Sequence, residues 1–478
     1  MLGSTELTRA CQDLSIEFAR FKAQDLRVEV EDRSDQEQLM AVCRINEGHW
    51  YQAIAKPADY CVAEQGRVLK RLAKAAFVKA LAEFCPEFRL PWGILTGIRP
   101  TKVIHRLFDA GMTLPEAANI LQENYLIAPE KIRLGLEVAA LQRRFLPSPQ
   151  AARNLVSVYL GIPFCPSRCA YCSFPTALRP EHGLGRYLAV LGEEIKAVGA
   201  DLAKRGIGVQ AVYIGGGTPT VLDERELEGL LAACQENFLL AQTVEFTVEA
   251  GRPDTLNQAK LATMLRSGVN RLSINPQSMV QKTLDRVGRS HTAAQVVESF
   301  QLARELGFDN INMDLILGLP GESLADVRFS LARVAELEPD SITLHALAIK
   351  RVSQLHEQEF RLAGYREAAA MQETAEQAVR SLGMRPYYLY RQKQISGNLE
   401  NIGYAKPGKE SVYNIQIIEE RQTIVALGAG AASKIVNPND RSLTNVPNPK
   451  QPDVYYRRWE EKWQEKLRLF DSIRSGGN

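Results

Sequence analysis

The chain has 478 residues, of which 45% are hydrophobic and 24% are charged, so it is long enough for about two to three globular domains. Its 58 basic and 56 acidic residues give a net charge of +2, which provides no overall basic field for a nucleic-acid backbone. No apolar run approaches the roughly 20 residues that span a bilayer, and the N-terminal stretch MLGSTELTRACQDL has no signal-peptide core. We therefore expect a cytoplasmic protein without a membrane span or a nucleic-acid partner.

Residues 1–150 are expected to form an N-terminal α+β domain. Three short runs rich in β-branched and aromatic residues precede a longer run, 66–84, with the apolar spacing of an amphipathic helix. The breaker cluster 146-LPSPQAARN-154 ends this region. The expected strands are 26–32, 39–45 and 50–56.

Residues 151–355 follow a different pattern, in which strand, turn and helix repeat six times in the order that builds a parallel sheet. This predicts an α/β fold with a partial, TIM-like (β/α)6 barrel whose chemistry lies at the carboxyl ends of the strands. Residues 356–478 contain an aromatic, glycine-rich and basic segment and are expected to form a C-terminal extension on the substrate side. The expected barrel strands are 155–160, 209–214, 243–250, 271–274, 311–317 and 341–347.

Three cysteines, Cys165, Cys169 and Cys172, crowd into the stretch 161-GIPFCPSRCAYCSF-174, directly after the first barrel strand. Structural zinc normally takes four ligands from two Cys-x-x-Cys knuckles, and only one half of that pattern is present. An iron–sulfur cubane held by three thiolates would keep one iron open for a small molecule. The other five cysteines stand singly and are interpreted as ordinary thiols: Cys11, Cys43, Cys61, Cys85 and Cys234.

The spacing Cys-x3-Cys-x2-Cys, with Tyr171 before the third cysteine, resembles the radical S-adenosylmethionine (SAM) superfamily. The resemblance implies a 4Fe-4S cluster whose open iron binds the amino and carboxylate groups of SAM, and whose reductive cleavage of SAM yields a 5′-deoxyadenosyl radical. The next strand ends in 213-YIGGGTPT-220, where consecutive glycines permit close backbone approach to a ligand. This loop resembles the superfamily's site for the SAM amino group and includes Gly216, Gly217 and Thr218.

A narrower resemblance is to the oxygen-independent coproporphyrinogen III oxidase family. It implies that Tyr159 on the first strand and four polar residues on the later strands and the segments that follow them serve the cofactor site. These four would contact the ribose, amino and carboxylate groups of SAM, since carboxylates suit a diol or an ammonium and Arg suits a carboxylate. They are Glu249, Gln277, Arg289 and Asp314.

Two terminal stretches, 96-TGIRPTKVIHRLF-108 and 388-YLYRQK-393, extend the resemblance to the HemZ subgroup of this family. The chain departs from well-known members at Gly161, where they have a His two residues after the Tyr. The implied reaction is oxidative decarboxylation of two propionates of coproporphyrinogen III, which gives protoporphyrinogen IX in heme biosynthesis. An unidentified electron donor and an electron acceptor would also take part.

A tetrapyrrole is apolar at its centre and anionic at its rim, so its pocket should combine aromatic residues with Arg or Lys. For the aromatic and basic segment around Tyr388, the alternative interpretation is an edge strand whose basic residues are solvated. Two other functions remain open: a heme-binding chaperone that retains the cluster, although its HNxxYW motif is replaced by 413-YNIQII-418, and a radical SAM enzyme acting on another tetrapyrrole. The candidate substrate contacts are Arg99, Lys102, Tyr388, Arg391 and Lys393.

Overall fold

The structure is a computed structural model that describes residues 4–22, 27–35, 37–56, 65–87, 89–97, 99–174, 176–350, 352–358, 360, 362–392 and 395–475. It contains two compact units. The first comprises Met1–Ala140, Ala363–Arg366 and Tyr390–Glu400, and the second comprises Leu141–Leu362, Glu367–Leu389 and Asn401–Asn478. No helix in the described part of the chain combines the length and the apolar composition that a membrane crossing requires.

The first unit contains a three-stranded antiparallel sheet in the order β1-β2-β3. Apolar residues of this sheet and of the two longest helices of the unit share one buried core, which includes Phe18 and Phe77. All three strands and the long amphipathic helix predicted for this region are confirmed. The elements are α1 (Ser4–Lys22), β1 (Val28–Asp32), β2 (Leu39–Ile45), β3 (Tyr51–Ala55), α2 (Gln65–Phe84), α3 (Thr101–Asp109), α4 (Leu114–Tyr125) and α5 (Pro129–Gln142).

The second unit is built on an 11-stranded sheet in the order β12-β13-β11-β10-β9-β8-β7-β4-β14-β15-β16. Strands β4, β7, β8, β9, β10 and β11 run parallel in this order, so the six predicted strands are confirmed and their carboxyl ends lie at one edge. The strands are β4 (Leu155–Ile162), β5 (Phe164–Cys165), β6 (Ala177–Leu178), β7 (Gly208–Gly216), β8 (Glu245–Glu249), β9 (Arg271–Ser273), β10 (Ile311–Leu317), β11 (Ser341–Ala346), β12 (Arg385–Tyr390), β13 (Asn401–Ala405), β14 (Thr423–Leu427), β15 (Ala432–Val436) and β16 (Leu443–Pro447).

Local sequence signals explain where the intervening helices begin. Helices α8, α11 and α12 start at capping boxes, in which Asp223, Thr292 and Ser323 cap the first turn and a residue three positions later bonds back. The strands between them mix apolar and polar residues, as in EFTVE of β8 and INMDLIL of β10. The helices are α6 (Pro149–Ala152), α7 (Gly185–Lys204), α8 (Glu224–Phe238), α9 (Gln258–Arg266), α10 (Gln281–Arg286), α11 (Ala293–Glu305), α12 (Leu324–Ala335), α13 (Gln354–Glu357), α14 (Tyr365–Ser381), α15 (Val412–Glu419) and α16 (Pro452–Ser475).

One strand of the parallel core was not predicted. β14, from the C-terminal part of the chain, pairs in parallel with β4 on the side opposite β7. The α/β class and the six-unit parallel core are therefore confirmed, with a seventh parallel strand added beside the first. The division into 1–150, 151–355 and 356–478 stays a prediction.

Candidate functional site

The three clustered cysteines lie on the loop after β4, at the carboxyl edge of the parallel sheet. Cys165 ends the short strand β5, which pairs with β6 and closes the loop. In the middle of the loop, the amide of Ala170 donates to the carbonyl of Val287 at 3.0 Å, and the Ala170 carbonyl accepts from the amide of Leu355 at 3.1 Å. The backbone of the loop is thus fixed from both sides.

The chemistry of these thiols fits an iron–sulfur cluster. All three cysteines are partly exposed and unbonded to one another, and burial raises the pKa of Cys165 and of Cys172, so a stable thiolate there calls for a cationic partner. Within the described ranges, no three His, Cys, Asp or Glu side chains are grouped to hold one metal ion. A 4Fe-4S cubane does not require three ligands on one metal ion, because each thiolate binds a different iron. Cys165, Cys169 and Cys172 could therefore hold the 4Fe-4S cluster.

The glycine loop at the end of β7 lies directly against the cysteine loop. The amide of Gly217 donates to the Ile162 carbonyl at 2.8 Å, and the hydroxyl of Thr218 lies 3.6 Å from the sulfur of Cys165. A Cβ on Gly217 would lie 2.5 Å from the carbonyl oxygen of Phe164 and 2.9 Å from the Cys165 sulfur. Gly216 has φ of 112°, which side chains rarely adopt. Glycine is needed at both positions.

Glu249 ends β8 and links the glycine loop to a group of stacked tyrosines. Its Oε1 accepts a hydrogen bond from the Tyr213 hydroxyl at 2.6 Å, and its Oε2 accepts one from the Gly216 amide at 3.3 Å. Burial raises the pKa of Glu249 to about 7. The rings of Tyr213 and Tyr413 are stacked, with their centroids 4.4 Å apart. The ring of Tyr159 is also stacked on that of Tyr213, with a centroid distance of 6.2 Å. Tyr159, Gly216 and Glu249 are therefore neighbours.

Gln277 and Asp314 meet at the ends of β9 and β10. Gln277 has a positive φ of 65°. Its backbone amide donates a hydrogen bond to the carbonyl oxygen of Asp314 at 2.9 Å. Burial opposes ionisation of Asp314, but His345, whose Nε2 lies 3.6 Å from its Oδ2, and Asn312, which donates at 2.7 Å, lower its pKa below the usual range. Asp314 is thus a carboxylate at neutral pH, suited to bind a diol.

Arg289 connects the SAM-contact candidates to the cysteine loop. Its guanidinium donates to the Tyr171 hydroxyl at 3.0 Å and to the carbonyls of Gly251 at 2.6 Å and Asn275 at 2.7 Å. Its Nε and the Oε1 of Gln277 are buried and find no hydrogen-bond partner among the described residues. Buried polar atoms are normally satisfied, so this pair fits a site completed by a polar ligand such as SAM.

Gly161, where this chain departs from the His of well-known family members, lies near the end of β4 beside the loop after β14. A Cβ added there would lie 3.5 Å from the Cβ of Ala431 and 3.6 Å from the carbonyl oxygen of Leu427. These are ordinary contact distances, so the first side-chain atom would fit. The seventh parallel strand therefore brings its following loop against the position of the departure.

Arg252, which is held by Asp254, is a contact of the cysteine loop that sequence reasoning missed. Arg252 is 4% exposed and binds Asp254 through two hydrogen bonds of 2.9 Å. Its Nη1 donates to the Ser167 hydroxyl at 3.0 Å and lies 3.9 Å from the sulfur of Cys169. The signal was an Arg-Pro-Asp sequence three residues after Glu249, in the loop that follows β8 at the carboxyl edge of the sheet.

The candidate substrate contacts are distributed over the two units. Arg99 lies just before α3 and Lys102 in its first turn, and both belong to the first unit. Arg391, also in the first unit, donates to the carbonyls of Leu95 and Asn398. Tyr388 belongs to the second unit, where it is 6% exposed and its hydroxyl lies 3.4 Å from that of Thr343. Lys393 lies outside the described residues. Their contact with a substrate stays a prediction.

Comparisons with known proteins identify the family. A family model described as the radical SAM superfamily matches residues 159–334. The chain is 43% identical over 387 residues to the oxygen-independent coproporphyrinogen-III oxidase-like protein HemZ of Bacillus subtilis, a match that covers 80% of this chain and 77% of that protein. The chain belongs to the HemZ family of radical SAM proteins.

The chain is also similar to two further proteins. The heme chaperone HemW of Lactococcus lactis is 31% identical over 294 residues, which cover 61% of this chain and 72% of that protein. The solved structure of coproporphyrinogen III oxidase (HemN) of Escherichia coli, described as a radical SAM enzyme, is 25% identical with a TM-score of 0.54, and the match covers 68% of this chain and 72% of that one. The cofactors of this HemZ-family chain are a 4Fe-4S cluster and SAM.

Proposed function

We propose that the protein is a radical SAM coproporphyrinogen dehydrogenase, an oxidoreductase that converts two propionates of coproporphyrinogen III to vinyl groups and gives protoporphyrinogen IX in heme biosynthesis. The observation that carries the proposal is the 43% identity, over 80% of this chain, to a coproporphyrinogen-III oxidase-like protein. The cysteine and glycine loops at one edge of the sheet support it, because the contact between Thr218 and Cys165 joins the two loops that such chemistry needs.

Each decarboxylation removes a hydrogen atom from the β-carbon of one propionate, after which the bond to the carboxylate breaks. Carbon dioxide leaves, one electron passes to an acceptor, and a vinyl group remains. When bound, the cluster and SAM supply the radical that abstracts the hydrogen atom. In this proposal the protein's three thiolates anchor the cluster. Glu249, Gln277, Arg289 and Asp314 orient the polar groups of SAM, and an electron donor and acceptor are separate partners.

The propionates of the substrate are anionic, and guanidinium and ammonium groups bind carboxylates well. Arg99, Lys102, Arg391 and Lys393 are proposed to bind them. Arg391 already donates hydrogen bonds to the carbonyls of Leu95 and Asn398. In this proposal it therefore positions those two segments of the backbone and also contributes positive charge.

A heme chaperone is the second candidate, because the HemW proteins that carry that name are also relatives. Two observations favour the dehydrogenase. The HemZ match covers 80% of this chain, whereas the HemW match of Lactococcus lactis covers 61%. In addition, the stretch expected to carry the chaperone motif reads 413-YNIQII-418 and lies in helix α15, where the Tyr413 ring stacks on Tyr213.

Product analysis separates these functions. We expect anaerobically reconstituted protein, incubated with coproporphyrinogen III, SAM and a low-potential reductant, to form protoporphyrinogen IX, carbon dioxide and 5′-deoxyadenosine. One 5′-deoxyadenosine should form per propionate lost, which chromatography and mass spectrometry measure. SAM cleavage without a decarboxylated tetrapyrrole would overturn the dehydrogenase assignment, and stoichiometric heme binding without turnover would favour the chaperone. A variant with Cys169→Ala provides the background.

A further inference from the structure

We propose that Arg252 is a positioning residue that tunes the reduction potential of the cluster through its contact with the sulfur of Cys169. Its Nη1 lies 3.9 Å from that sulfur, within the range of an N–H···S hydrogen bond. The inference rests on Cys169 being a cluster ligand and is independent of the substrate, so it can hold even if the dehydrogenase assignment fails.

The guanidinium of Arg252 is held in place from several directions. Asp254 accepts two parallel hydrogen bonds of 2.9 Å from Nε and Nη2, a fork that fixes the plane of the group. The Ser167 hydroxyl accepts from Nη1 at 3.0 Å. With only 4% of the residue exposed, water cannot easily replace these contacts, so the distance from Nη1 to Cys169 is set by the fold.

A buried N–H donor and a fixed positive charge both raise the potential of an iron–sulfur cluster, because they stabilise the additional electron of the reduced state. Arginine keeps its charge at all ordinary pH values. The carboxylate of Asp254 offsets part of that charge. His291, whose Nδ1 lies 3.8 Å from Asp254, is neutral, since burial lowers its pKa to about 3. The tuning effect therefore depends on the balance between Arg252 and Asp254.

A purely structural role is the competing explanation, because Arg252 also braces the loop through Ser167, whose hydroxyl bonds to the Gly288 carbonyl at 3.3 Å. The two explanations differ in the sign of the effects. If Arg252 only holds the loop in place, the substitutions at Arg252 and at Asp254 should change the cluster potential in the same direction. Electrostatic tuning should move the potential in opposite directions.

The test is a redox titration of the reconstituted protein, followed by electron paramagnetic resonance, on Arg252→Met and Asp254→Asn. Arg252→Met should lower the equilibrium constant for one-electron reduction about tenfold, a shift of about 59 mV to more negative potential. Asp254→Asn should shift the potential to a more positive value. Arg304→Met is the matched control, because Arg304 pairs with Asp340 at 2.7 Å far along the sequence from the cysteine loop, and it should leave the potential unchanged.

Shifts of the same sign in both variants, or no shift in either, would overturn the proposal, as would an equal shift in Arg304→Met. If Arg252→Met takes up no cluster, Asp254→Asn decides alone: a positive shift supports tuning, and an unchanged or more negative potential contradicts it. Production of protoporphyrinogen IX by the wild-type protein is measured separately, so failure of the proposed function and failure of this inference remain distinguishable.

Discussion

The substitution Cys169→Ala is expected to abolish both the cluster and the cleavage of SAM. Cys169 is the middle cysteine of the loop, and an iron–sulfur cluster held by three thiolates loses a third of its protein ligands when one is removed. The backbone of the loop is anchored through Ala170 to Val287 and Leu355, so its fold should survive. Iron and sulfide content, visible absorption and 5′-deoxyadenosine formation measure the effect.

Cys234→Ala is the matched control, since Cys234 is buried in helix α8 and burial raises its pKa out of the reactive range. Removing its sulfur should cost about 1 kcal/mol of stability and leave the iron content and SAM cleavage intact. A Cys169→Ala protein with a full complement of iron and sulfide, or a Cys234→Ala protein without it, would contradict the ligand assignment.

The second large effect is expected from Gly217→Ala. The new Cβ would stand 2.5 Å from a backbone oxygen of Phe164 and 2.9 Å from the sulfur of Cys165, so either the glycine loop or the cysteine loop must shift. A displacement of about 1 Å between reacting groups can cost about 100-fold in rate, and we expect a loss of that order in SAM cleavage. Titration of SAM binding to the reconstituted variant shows how much of the lost activity is due to weaker binding of SAM.

Gly229→Ala provides the comparison for this substitution. Gly229 lies in helix α8 with open space around the position of a Cβ, where alanine should stabilise the helix by up to about 1 kcal/mol. Its SAM cleavage should equal that of the wild-type protein. Wild-type SAM cleavage in Gly217→Ala would show that the two loops are not packed as closely as the structure indicates.

The sequence patterns predicted the parallel core well because its signals are local. The longer strands, such as Leu155–Ile162 and Ile311–Leu317, are rich in apolar residues. The helices between the strands begin at recognisable caps such as Asp223 and Ser323. The motif residues were predicted to gather because the carboxyl ends of parallel strands share one edge. Contacts such as Arg289 with Tyr171 and Gly216 with Glu249 agree with that expectation, while their roles toward SAM stay predictions.

Features that depend on contacts distant in sequence were missed. Strand β14 pairs with β4 across more than 250 positions, and no local pattern in Thr423–Leu427 names that partner. Arg252 is separated from Cys169 by 83 residues, and its Arg-Pro-Asp sequence could equally be a solvated turn. The aromatic segment near Tyr388 could be judged only from composition, which does not reveal that its ring is buried.

The most direct test of the central claim is the electron paramagnetic resonance spectrum of the reduced cluster with and without SAM. A three-thiolate cluster with an open iron predicts one cluster per chain whose spectrum changes on addition of SAM, and the change should be lost in Cys169→Ala together with the cluster. A cluster whose spectrum is unaffected by saturating SAM, or a reconstituted protein that holds no iron, would contradict the account.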